Sequence, residues 1–281
     1  MRYRIIFLFF LVAGFISGCP SHTLLTVQDQ QKIQSQQKNK TYYLKQSFFA
    51  GPFFAYDDRF FISERAFDER VLIESIGGDP ILSSDPTGVI PLGTEVNIRE
   101  VEFPTSSAVS DRKLKSPRHF TWVMIDIKDK PKKTPYVLVL TQEFKKISDF
   151  DRSLAVYLVK DDPSDEFIGL AQEVLEAVNT KKIVKGMRAD ALLRSRGHPD
   201  KISRKVVDGA RIEQWQYAPE RIVVLKEDLV ESWKGFPDLD LDLLVTPKNR
   251  AEGEPVKTPE ASDIQAPEKK PDVEPSSTES P

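Results

Sequence analysis

Cysteine is almost missing from this chain: Cys19 is the single one in 281 residues, beside only three histidines, His22, His119 and His198. That excludes an internal disulfide framework and a thiolate-rich zinc site. An excess of positive charge is missing too. Forty lysines and arginines face 43 acids for a net charge of −3, which excludes a generally basic nucleic-acid binder. Residues 5–16, twelve uncharged and almost wholly apolar positions behind Arg2 and Arg4, fall short of the roughly 20 needed to span a bilayer. They read instead as the core of a secretory signal. No serine or cysteine nucleophile falls in a recognisable catalytic motif, so His119 and His198 read as isolated surface histidines and no enzyme is expected.

What is present starts with Ile16-Ser17-Gly18-Cys19, an aliphatic residue, two small residues and a cysteine. This resembles the bacterial lipoprotein signal. The resemblance implies a diacylglyceryl thioether on Cys19, cleavage just before it and acylation of the freed amine. Two or three acyl chains hold where one holds only marginally, since each buried methylene contributes about 0.8 kcal/mol. Pro20 stands where aspartate would mark inner-membrane retention, which favours the periplasmic face of the outer membrane. Removing the signal peptide, residues 1–18, takes away two arginines and no acid, moving the net charge from −3 to −5.

Residues 19–47 read as lipid anchor and flexible tether. Gln28, Gln30, Gln31, Gln34, Gln36 and Gln37 dominate a stretch without a sustained apolar stripe. A coil of about 28 residues there would reach roughly 30 Å. At the other end, residues 237–281 read as a disordered tail, with seven prolines and no aromatic residue from 247 onward.

Residues 48–160 are strand-like, with short apolar runs between turns such as Pro86-Thr87-Gly88 and Leu92-Gly93-Thr94. Val96, Ile98 and Val101 alternate, residues 120–127 carry Trp122, Val123, Ile125 and Ile127, and residues 136–140 are uniformly apolar. Four or five such strands predict a small β-barrel-like domain, because rolling up a sheet covers its edges. Over residues 68–142 this resembles bacterial Src-homology-3-like domains. Eight aromatic rings between Phe48 and Phe67 are expected in a core, with an exposed binding face as the alternative. Two basic loops, 112–118 and 128–133, make Arg112 and Arg118 candidate partner contacts against the plainer reading of solvated charge.

Residues 161–236 change to helical spacing. Phe167, Leu170, Ala171, Val174, Leu175 and Val178 share one helix face, with Ser164 placed to cap it, Asp165 and Glu166 in the first turn and Lys181 and Lys182 near the end. A shorter helix lies between Gly186 and Gly197, with Leu192 and Leu193 inward and Pro199 beyond. The period then falls to two: residues 202–207, the Asp208-Gly209 turn and residues 211–217 predict a hairpin, followed by strands at 221–226 and 229–233. Helix, helix, strands is the order of a two-layer α+β unit. Trp215 and Tyr217 share one strand face, as core or as partner contact. Asp238, Asp240 and Asp242 mimic a calcium loop, but Leu243 holds its glycine position and Asn249 its glutamate position, so no metal is expected.

Residues 184–217, VKGMRADALLRSRGHPDKISRKVVDGARIEQWQY, resemble the BamE (SmpA/OmlA) lipoproteins of the outer-membrane β-barrel assembly machinery. The matching positions are Gly186, Met187, Leu192, Leu193, Gly197, Pro199, Trp215 and Tyr217. Arg188 stands where that family usually has threonine, and Arg196 where it commonly has leucine. The resemblance implies a helix-helix-sheet domain that binds protein without catalysis. The expectation is a mixed β and α+β chain with disordered flanks and no cofactor, anchored to the lipid bilayer through Cys19. It would serve as a scaffold for envelope or outer-membrane proteins, with peptidoglycan as the competing ligand.

Overall fold

The tether predicted ahead of the first aromatic cluster is a helix, α1 (Val27–Gln37). The computed structural model describes residues 23–53, 56–69, 74–75, 86–116, 118–130, 133–163, 166 and 170–247. Cys19, Ser164, Asp165, Phe167 and residues 248–281 lie outside the described residues. Thr26 caps α1, its Oγ1 accepting from the Asp29 amide at 3.1 Å. A single aliphatic residue of α1, Ile33, is fully buried. Amides make the remaining attachments: Gln30 Nε2 donates to Leu25 O at 2.9 Å, Gln34 Nε2 to Val101 O at 3.1 Å, and Gln37 Oε1 accepts from Tyr42 Oη at 2.7 Å. An apolar-periodicity reading misses such a helix because its buried face is largely glutamine.

The chain continues through β1 (Thr41–Leu44), β2 (Phe48–Phe53), β3 (Tyr56–Ser63), a 3-10 turn (Phe67–Glu69), β4 (Glu74–Ser75), β5 (Gly88–Ile90) and β6 (Glu95–Glu102). Then come α2 (Ser106–Asp111), β7 (Leu114–Ser116), β8 (Thr121–Ile127), β9 (Tyr136–Leu140), α3 (Ile147–Tyr157) and β10 (Leu158–Val159). Eight of these strands form one curled half-barrel sheet in the order β10-β1-β6-β8-β9-β3-β2-β5, while β4 and β7 pair separately. All neighbours in the large sheet are antiparallel except β3 and β9. Both faces are covered. Val123, Ile125, Leu138 and Leu140 pack with Ile33, Phe150 and Leu154 on one side; Trp122, Val137, Val139, Phe49, Phe53 and Phe61 pack with Phe67 and Leu114 on the other. Burial on both faces is why residues 136–140 are apolar without alternation.

The sheet does not close into the small barrel expected of four or five strands; it has eight, and its edges are hidden otherwise. One edge, β10, has only two residues. The other, β5, is covered by a segment expected in the disordered tail. Val89 N donates to Asp242 O at 2.9 Å and Leu244 N to Val89 O at 2.8 Å. This strap, residues 237–247, packs Leu239 and Leu241 onto one face of the sheet and Leu244 and Val245 onto the other. The alternating aspartates that imitate a calcium loop are its exposed side.

The second sheet has two helices on one face: α4 (Gln172–Asn179), α5 (Ala189–Arg196), then β11 (Lys201–Val207), β12 (Ala210–Ala218), β13 (Arg221–Lys226) and β14 (Leu229–Lys234) in sequential antiparallel order. Leu175, Val178, Ala191 and Leu192 from the helices meet Trp215, Tyr217, Val223 and Leu225 from the strands. The helix predicted from Phe167 begins at Gln172, after Ala171. The β11–β12 turn has φ of 51° at Asp208 and 79° at Gly209, the positive pair a type I′ hairpin requires. Gly197 ends α5 at φ 77°, where an added Cβ would also lie 2.9 Å from Glu64 Cγ.

Candidate functional site

Where the two sheets meet, charged side chains are buried together. The Glu69 carboxylate, 1% exposed, accepts from Arg65 Nε at 3.1 Å, Arg196 Nη2 at 3.3 Å and Arg221 Nη1 at 2.7 Å. Arg65 extends the network to Asp200 and Arg221 extends it to Asp68. Buried Lys181 donates to Ser47 O at 3.0 Å and Glu64 O at 2.6 Å, tying the end of α4 to the first sheet. Arg194 Nη1 does the same from α5, donating to Lys45 O at 2.9 Å. Burial pushes the Arg196 guanidinium below its ordinary pKa, opposed by Glu69. His198 stands at the seam's rim with Nδ1 3.9 Å from Glu64, whose carboxylate raises the imidazole above its usual value.

Beside this seam lies a cavity of about 310 Å³ between Phe49 of the first sheet, residues 180–183, Arg196, and Trp233, Phe236 and Leu239 of the second sheet and the strap.

Three of the four residues picked from the sequence as partner contacts are sealed inside. Trp215 is 4% exposed and donates Nε1–H to Glu213 Oε2 at 2.8 Å; that bond, aided by Arg204, holds the Glu213 carboxyl below its ordinary pKa. Tyr217 is fully buried, its hydroxyl donating to Gly197 O at 3.1 Å, and burial raises its pKa far. Arg112 lies 3.8 Å over the Trp122 ring, with Nε donating to Glu102 Oε1 at 2.7 Å and Nη1 to Phe120 O at 2.6 Å. Half-buried Arg118 contributes its carbonyl to Arg112 and contacts His119. The polar atoms of Trp215, Tyr217 and Arg112 are bonded within the fold. Cys19 lies outside the described residues, and among the described residues no group of three or more His, Cys, Asp or Glu is placed to hold a metal ion.

The accessible feature that the sequence did not single out is the outer edge of β11. Three other sheet edges are short or covered: β10 by its length, β5 by the strap, and β14 by residues 186–189. There Gly186 N donates to Val230 O and Val230 N to Met187 O, both at 2.8 Å. β11 has no strand on its outer side among the described residues, and all seven of its side chains are exposed. Val206 is 72% exposed. The strand carries Lys201, Arg204 and Lys205 and no acid. On the sheet face away from the helices, Lys205, Val207, Ile212, Val224 and Lys226 line a shallow depression of about 340 Å³. The signal was legible as an alternating run in a hairpin; its place at an uncovered edge was not.

No protein-family model, curated protein or solved structure matches the chain.

Proposed function

We propose that this chain is a lipid-anchored, non-catalytic protein of the bacterial envelope that takes an extended, acidic segment of another envelope protein onto β11. The uncovered edge carries this reading. An edge strand offers a row of main-chain donors and acceptors that folded proteins ordinarily hide, and adding a strand to such an edge is a common way to bind a peptide segment. Charge selects the occupant. Lys201 and Lys205 would oppose like charges in a second copy of β11, whereas an acidic strand meets them favourably in a chain that is otherwise net negative. The Ile16-Ser17-Gly18-Cys19 motif supports acylation of Cys19 and attachment to the periplasmic face of the outer membrane. Two helices against one face of a four-stranded sheet accord with the BamE-like unit suggested by residues 184–217.

Photo-cross-linking of the full chain in cells tests the edge, with the reactive side chain at Ser203 and, as control, at exposed Lys32 of α1. The expected result is an adduct from β11 alone whose partner peptide is acidic, lost on combining Lys201→Glu and Lys205→Glu. Equal adducts from Lys32, or none from β11, overturn it. Separately, Cys19→Ser should move the protein out of the membrane fraction; retention there refutes the anchor.

A further inference from the structure

We infer that the segment taken by β11 is itself two-sided, with acids four residues apart on one side and apolar residues on the other; this rests on β11 being a docking edge, as proposed above, and adds the pattern its partner must carry. The two sides of β11 differ. Ile202 lies opposite Trp215 and Arg204 opposite Glu213, and Trp215 packs against the helices, so Ile202, Arg204 and Val206 point to the helix-bearing side of the sheet. The alternate positions, Lys201, Ser203, Lys205 and Val207, point to the open side.

Charge separates these sides. On the helix-bearing side the cations are already answered: Arg204 Nε donates to Glu213 Oε1 at 2.8 Å, and Arg211, opposite Val206, is paired with Asp228. What remains there for a partner is apolar, Ile202 at 36% exposure and Val206 at 72%. On the open side Lys201 and Lys205 are exposed and have no ion-pair partner among the described residues. Directly opposed side chains on neighbouring strands stand about 5 Å apart, near enough for each to meet its counterpart. Acids opposite Lys201 and Lys205 therefore fall four apart, and apolar residues opposite Ile202 and Val206 fall on the reverse side of the same strand. Val207, exposed at the hairpin end of the open side, accommodates one further apolar residue.

Backbone hydrogen bonding sets the same frame. The two-residue Asp208-Gly209 turn makes Val207 and Ala210 a hydrogen-bonded pair, so every second residue back along β11 directs its amide and carbonyl toward β12. Ile202, Arg204 and Val206 direct theirs outward, where an added strand would bond them.

The full chain should be titrated with the capped peptide Val-Glu-Val-Ser-Val-Glu-Val, which reads the same in both strand directions, while backbone amides are followed by NMR. One control, Val-Glu-Val-Val-Glu-Ser-Val, has the same composition with its acids three apart and so on opposite sides. The other replaces both glutamates by glutamine. The alternating peptide should shift the Ile202, Arg204 and Val206 amides saturably and bind about threefold or more tighter than either control. Combining Lys201→Gln and Lys205→Gln should level the glutamate and glutamine peptides, and Val206→Thr should weaken the alternating peptide by about twofold or more. Equal binding of the two glutamate peptides overturns the inference and leaves the edge reading standing. Binding that spares those three amides, or no saturable binding of any peptide at millimolar concentration, overturns both.

Discussion

Arg221 of β13 donates to the Glu69 carboxylate at 2.7 Å across 152 positions of sequence. Glu69 is the one acid answering three guanidiniums, and through Arg65, Arg196 and Arg221 it joins the 3-10 turn of the first sheet to α5 and β13 of the second. A buried carboxylate in that position is held by its partners, and its partners by it.

Glu69→Gln keeps the shape and removes the charge, leaving Arg196 uncompensated, while Arg65 and Arg221 keep Asp200 and Asp68. Breaking a buried pair in this way costs about 3 kcal/mol or more. The urea midpoint should fall accordingly, and a midpoint equal to that of the parent protein would place the stability of the seam elsewhere.

His198 should titrate above its ordinary value of 6.5 because of Glu64, and Glu64→Gln should bring it back down. Since the folded value lies above the unfolded one, this contact stabilises fully below about pH 6.5 and fades as pH rises through the folded value. The imidazole is 62% exposed, so the effect on stability is small and NMR titration is the sensitive readout. An identical titration curve in the variant would assign the shift to another group.

Gly88→Val should lift the strap. An added Cβ would lie 2.7 Å from Leu244 Cδ2 and 3.0 Å from Asp242 O, too close for either to stay. Hydrogen exchange should speed up at Leu244 N and proteolysis should begin within residues 237–245, while the β11–β14 amides keep their protection. Unaltered protection at Leu244 would show that the strap tolerates the side chain in place.

Arg112→Lys retains a cation but cannot both cover Trp122 and bond Glu102 and the Phe120 carbonyl. A loss of about 2 kcal/mol is expected, read by urea unfolding followed through tryptophan fluorescence. Wild-type stability would mean that the stacking contributes little.

Local chemistry made α5 and its hairpin readable. Gly186, Gly197 and Asp208-Gly209 need particular backbone angles, and Trp215 and Tyr217 are two apart on a strand whose neighbours are polar. The paired helix and sheet followed from those punctuation marks. α1 was hidden because hydrogen bonds from Gln30, Gln34 and Gln37 substitute for apolar burial, and composition alone treats glutamine as solvated. The strap was hidden because only Leu239, Leu241, Leu244 and Val245 pack on the sheet in a segment rich in aspartate and proline. The ionic seam could not be read at all: Arg65, Arg196 and Arg221 look like ordinary surface charges until the two sheets meet around Glu69.

Replacing the expected tether with α1 changes how the protein meets a membrane. Thr23, 8% exposed, already belongs to the folded body, and it is four residues from Cys19. That much chain spans at most about 14 Å. An acyl group on the sulfur would therefore moor the body hard against the headgroups instead of letting it swing on a long leash, and any partner joining β11 would have to approach within a protein's width of the bilayer.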